Sequence, residues 1–193
     1  MTNSIRSLCV YCGSSDGFFS AHAAVAHDLG VHLAESNIRL VYGGASVGLM
    51  GIVADAVLSL GGSVTGVITE HFDAVGITHP GLTECVITPD MHTRKAQMMQ
   101  KSDAFVALPG GIGTLEEVAE ALTWAHIGHH VKPVGILNVD GFYNPLIQML
   151  DQMLAAGFYR REQRDALVIA ETPPQLLERL RLATWPDVSI WLR

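Results

Sequence analysis

The sequence predicts an α/β fold: one domain over residues 1–193, built on a doubly wound parallel sheet of about six or seven strands. Three observations predict it. Short apolar runs at residues 8–11, 40–42, 64–68, 85–88, 104–108, 134–139 and 167–170 recur with helix-length segments between them, the alternation that puts helices on both faces of a parallel sheet. Three of these runs end in small or glycine-rich turns, where such sheets place their ligands. A chain of 193 residues, 49% hydrophobic and 16% charged, is long enough to bury one core and short for two.

The first run, 8–11, lies within Cys9-x-x-Cys12, which taken alone reads as a zinc or redox motif. On a strand, residues three apart point to opposite faces, so the two sulfurs diverge and the motif fails. In the helix that follows, His22, His27 and His32 step by five and spread around the axis. The run 40–42 leads into Tyr42-Gly43-Gly44-Ala45-Ser46-Val47-Gly48, and Asp55, near the middle of the next helix, reads as surface. After the runs 64–68 and 85–88, residues 91–101 read as a helix with Arg94 and Lys95 in its first turns. Cations are unfavourable at the positive end of a helix, so an anion that they bind explains the placement better. Met91, Met98 and Met99 read as core filling.

The run 104–108 suits a central parallel strand, Pro109 ends it, and Gly110, Gly111 and Gly113 free the backbone to turn before a helix opens at Thr114. The first N–H groups of a helix lack internal partners and carry partial positive charge, so this turn suits a phosphate. Thr114-x-x-Glu117 fits a capping box, and it equally fits a carboxylate held beside a bound anion; spacing leaves both open. Along that helix Leu115, Val118, Leu122 and Ala125 share a face that Trp124 and Ile127 widen, which predicts burial on two sides and a homodimer. His126 and His130 are separated by Gly128, which breaks the turn between them. Helices at 145–156 and 174–184 read as structural, Arg160, Arg161 and Arg164 as a solvated helix end, and the apolar tail 185–193 as a docking segment.

A net charge of −7 without a Lys/Arg run disfavours nucleic acid. The N-terminus lacks the apolar core of a signal peptide and no run reaches membrane-spanning length, so a cytoplasmic protein without a membrane partner is expected. The turns match neither the dinucleotide fingerprint nor the P-loop. Pyridoxal phosphate chemistry needs a Schiff-base lysine. Only Lys95, Lys101 and Lys132 are present, and of these only Lys95, beside Arg94, is a candidate. No cofactor and no metal are expected.

The stretch 109–117, Pro-Gly-Gly-Ile-Gly-Thr-Leu-Glu-Glu, with Met91-His92-Thr93-Arg94-Lys95 before it, resembles the Lonely Guy (LOG) family of nucleotide phosphoribohydrolases. The likeness extends to residues 10–15, 41–51 and 132–141, nearly the whole chain. It implies a Rossmann-like fold and cleavage of the N-glycosidic bond in N6-modified adenosine 5′-monophosphates, and often AMP, to free base and ribose 5-phosphate. It also implies that Arg94 and Glu117 are the catalytic pair. Lys95, Gly111, Ile112, Gly113, Thr114, Leu115, Glu116 and Thr123 would line the nucleotide site with them. Two departures stand out: Ala45 where the family usually has a third glycine, and Val75-Gly76 where it commonly has a substrate-contacting glutamate. The alternatives are a general AMP or pyrimidine nucleotide nucleosidase and a nucleotide-binding module without turnover.

Overall fold

The computed structural model describes residues 3–186. All seven strand expectations are met, by β1 Ser7–Tyr11, β2 Arg39–Tyr42, β3 Val64–Thr69, β4 Glu84–Thr88, β5 Ala104–Ala107, β6 Val134–Leu137 and β7 Val168–Ala170. They form one sheet in the order β4-β3-β2-β1-β5-β6-β7, and every pairing is parallel. The helices are α1 Ser20–Glu35, α2 Gly48–Ser59, α3 Glu70–Ala74, α4 Met91–Gln100, α5 Ile112–His126, α6 Asn144–Ala155, α7 Arg161–Ala166 and α8 Pro173–Leu182.

Because successive strand residues face opposite ways, β1 feeds two cores. Leu8 and Val10 pack with α1, α2 and α8 through Leu29, Val53 and Leu180; Cys9 and Tyr11 pack with α4, α5 and α6 through Met98, Val118 and Leu150. Cys9 and Cys12 fall in different cores, which disposes of the Cys-x-x-Cys motif. Burial, aided by the charge of Glu117, pushes the Cys9 thiol up to about 12, so it remains an inert core group. Met98 and Met99 are core, as expected, whereas Met91 is half-exposed.

The strand order reverses between β1 and β5: the chain leaves β1 through α1 on one face and reaches β5 through α4 on the other. The connections that leave the two strands go to opposite faces, and the crevice beyond the strands' carboxyl ends is where a ligand fits. The docking expectation for the tail concerns residues 185–193; Trp185 is buried, and residues 187–193 lie outside those described. Among the described residues no helix is long and apolar enough to cross a membrane.

Candidate active site

The glycine-rich turns after β1, β2 and β5 meet at this crevice. Gly13 donates its N–H to the Pro109 carbonyl at 3.2 Å and accepts from the Met50 N–H at 3.4 Å, so the first turn is tied to the other two. The third turn runs directly into α5. Its N-cap is Gly111, which brings no side-chain cap, and no acidic residue stands in the first turn. The amides of that turn therefore present their partial positive charge to the crevice.

Helix α4 lies beside α5 with Asp90 as its N-cap, accepting from the Thr93 N–H at 2.8 Å. From it Arg94 crosses to the carboxyl ends of β2 and β3. Its Nε donates to the Val67 carbonyl at 2.9 Å and its Nη1 to Glu117 Oε1 at 3.1 Å. Gly43 makes room for this: a Cβ there would stand 2.2 Å from Arg94 Nη2. Both side chains of the pair are nearly buried, at 9% and 12% exposure. Burial raises Glu117 above the ordinary carboxylate value of 4.5, and Arg94 offsets part of the rise. Its charge in turn helps hold Cys9, Tyr11 and Cys12 protonated, which places the carboxylate over the end of β1. A guanidinium fixed from two sides thus holds a carboxylate that is poised to take a proton or face a developing cation.

Lys95 turns to the other side of α5, where it pairs with Glu116 and, at 3.2 Å, with Glu120. The anions that Arg94 and Lys95 meet in this structure are thus carboxylates of α5. Burial pulls the Lys95 ammonium down, but the two glutamates outweigh it and its pKa is raised.

The structure brings Arg94, Lys95, Glu116 and Glu117 together and sets Gly111, Ile112, Gly113 and Thr114 at the start of α5 beside them. Leu115 and Thr123 lie elsewhere, along an apolar groove between α5 and α6, and the Thr123 hydroxyl donates to Ala119 of its own helix at 2.7 Å. The capping-box expectation is corrected. The helix opens at Ile112 rather than Thr114, so Thr114 is already inside the first turn and buried, and Glu117 projects past the cap onto Arg94. Sequence reasoning missed Glu120, although its i,i+4 spacing from Glu116 puts both on one side of the helix. It also missed His79, a buried imidazole whose Nε2 lies 3.0 Å from Asp55; Asp55 itself is exposed, as its surface reading had it.

Residues 50–180 match the protein family described as "Possible lysine decarboxylase". Over 175 residues the chain is 49% identical to the "Probable cytokinin riboside 5'-monophosphate phosphoribohydrolase LOGL2" of Oryza sativa, covering 91% of this chain and 72% of that protein. It is 47% identical to the cytokinin riboside 5'-monophosphate phosphoribohydrolase LOG3 of Arabidopsis thaliana, covering 91% of this chain and 81% of that one. The chain belongs to the LOG family. In fold it is similar to the molybdenum cofactor binding protein of Rippkaea orientalis, with a TM-score of 0.67 at 24% identity over 89% of this chain and 93% of that one. The decarboxylase wording that attaches to the LOG family does not fit these lysines. Lys95 is held by two glutamates, Lys101 pairs with Glu84 at 2.9 Å, and Lys132 donates to the Met99 carbonyl at 2.7 Å. None offers a free amine at the crevice for a pyridoxal Schiff base.

Proposed function

We propose that this LOG-family chain hydrolyses the N-glycosidic bond of cytokinin riboside 5′-monophosphates, and of AMP, to free base and ribose 5-phosphate. One observation carries the reading: a nearly buried Arg94–Glu117 pair stands beside a helix N-terminus that has no acidic residue of its own. A binding module for phosphate gains nothing from a carboxylate there, whereas glycosidic cleavage passes through a ribosyl cation that a carboxylate stabilises. With the 5′-phosphate on the amides of residues 111–114, C1′ lies about one helical turn, ~5 Å, further along, towards Glu117. The C1′–N bond breaks with its electron pair leaving on the base. Water bonds to C1′, gives a proton to Glu117, and the base is protonated in turn. Arg94 orients the carboxylate. The names borne by the LOGL2 and LOG3 relatives support the same reaction. Chromatography after incubation with isopentenyl-AMP, AMP, CMP and UMP tests it: free adenine-type base is expected from the first two. Equal release from the pyrimidine nucleotides would instead indicate a general nucleosidase, and no release from any of the four a binding module.

Glu117 must be ionised to accept a proton, so kcat/KM should fall as pH drops through its pKa. Burial sets that limb above the ordinary carboxylate value of 4.5, and Arg94→Gln, which removes the guanidinium's lowering effect, should move the limb higher still. A limb that stays put in Arg94→Gln would separate the acid limb from Glu117.

The chain is further proposed to be a homodimer. The groove between α5 and α6, about 280 Å³ and lined by Leu115, Leu122, Leu146, Met153 and Phe158 among others, is apolar, and Phe158 on its wall is 84% exposed. A second copy of α5 would cover this surface. Light scattering at micromolar concentration should give twice the 20.8 kDa chain mass, and a monomer would rule the proposal out.

A further inference from the structure

His79 is 7% exposed, and the proposed hydrolysis does not use it. Its ring nevertheless has a partner on each nitrogen. Gly81 donates its N–H to Nδ1 at 3.0 Å, so that nitrogen carries no proton; the ring proton sits on Nε2 and is donated to Asp55 Oδ1, also at 3.0 Å. One end of this clamp is the loop between α3 and β4. The other is α2, which is fixed in the core by Val53, Ala54 and Val57.

The loop needs such an anchor. Residues 75–83 form no helix and no strand of the sheet, and the loop opens with Gly76 at φ 81°. Ahead of His79 it is tied to α3 by the Thr78 hydroxyl, which donates to Asp73 at 2.7 Å, but α3 buries none of its own residues and is a weak support. The loop in turn carries the second glycine turn. Ala45 and Thr78 form an antiparallel bridge, Ser46 donates its N–H to the Ile77 carbonyl, and His79 donates its N–H to the Gly44 carbonyl, the last two at 2.9 Å. Two consecutive glycines, Gly43 and Gly44, the second at φ 80°, cannot fix that turn by themselves.

This turn seats Arg94. A Cβ on Gly43 would stand 2.2 Å from Arg94 Nη2, and Gly44 packs on β3 beside Val67, whose carbonyl accepts from Arg94 Nε. A shift of the turn therefore moves the guanidinium, and with it Glu117. We infer that His79 is a positioning residue: its clamp on Asp55 fixes the second glycine turn where that turn seats Arg94 against Glu117. The inference rests on the proposed hydrolysis and adds a support to its Arg94–Glu117 pair.

The amides that open α5, not this turn, are proposed to hold the 5′-phosphate, so loss of the clamp should be read in kcat rather than KM. His79→Leu is expected to lower kcat for isopentenyl-AMP about tenfold, within the loss that an ångström of misplacement can produce, and to leave KM within about twofold. Asp55→Ala, at a side chain that is 74% exposed, should lower kcat about threefold or more without disturbing the fold. His79→Gln, which keeps an N–H donor near the place of Nε2, and Asp55→Asn, which keeps the acceptor, should retain most of the activity. In an Arg94→Gln background Asp55→Ala should cost nothing further, because the clamp acts through Arg94. A histidine that served stability alone would lower the melting temperature and leave the kcat of the folded protein unchanged. Hydrogen exchange at residues 43–48 should be faster in Asp55→Ala than in the wild type. Unchanged kcat in folded His79→Leu and Asp55→Ala, or a loss from Asp55→Ala as large in Arg94→Gln as in the wild type, would overturn the assignment. If the wild-type protein hydrolyses no nucleotide, the hydrolase reading fails; faster exchange at residues 43–48 in Asp55→Ala would still uphold the clamp, and unchanged exchange would overturn it.

Discussion

Glu117→Gln is expected to lower turnover by at least ~100-fold, the usual scale for a lost acid–base or charge-stabilising group, while the protein stays folded. Glutamine has nearly the same shape and still offers an oxygen to Arg94 Nη1, so the contact at 3.1 Å can persist. Only the negative charge and the proton-accepting capacity go. Glu117→Ala is a poorer test, because it strands a guanidinium that is 9% exposed, and breaking a buried pair from one side typically costs ~3–5 kcal/mol. A folded Glu117→Gln protein with near-normal kcat would reduce Glu117 to a structural partner of Arg94. A thermal melt run alongside the rate measurement distinguishes lost chemistry from lost fold.

The second large effect is on the substrate side: nucleoside 5′-monophosphates should be cleaved and the matching nucleosides barely touched. Since Arg94 and Lys95 are engaged by Glu117, Glu116 and Glu120, the 5′-phosphate falls mainly to the amides that open α5. Two or three charge-assisted hydrogen bonds at ~1.5–3 kcal/mol each amount to roughly 3–9 kcal/mol. Even the low end is about a hundredfold in kcat/KM. Part of that binding energy positions C1′ against Glu117, so the nucleoside should lose kcat as well as affinity. Comparing adenosine with AMP, and isopentenyladenosine with its monophosphate, measures this. Similar rates within either pair would mean that the glycine turn holds no phosphate.

The sheet was legible because each strand is a short apolar run bounded by turn residues, and the two-faced burial of β1 follows from alternation alone. The start of α5 was not. Glycine fits a turn and a helix alike, so Gly111 and Gly113 gave no sign of which side of the boundary they lie on, and the helix begins two residues before Thr114. Helix α3, at 5 residues, is too short to show a period and was missed, and of the 6-residue α7 only the Arg160, Arg161 and Arg164 end was read as helical. The pairing of Arg94 with Glu117 came from the resemblance, and the two side chains meet in space; spacing alone could not separate a cap from a catalytic group.

The most direct test of the central claim is hydrolysis of isopentenyl-AMP in ¹⁸O-labelled water with mass spectrometry of the products. The account predicts unlabelled isopentenyladenine and ribose 5-phosphate carrying one ¹⁸O at C1, formed by the wild-type protein and suppressed in Glu117→Gln. Label in released inorganic phosphate with the nucleoside left intact, or free base formed equally well by Glu117→Gln, would contradict it.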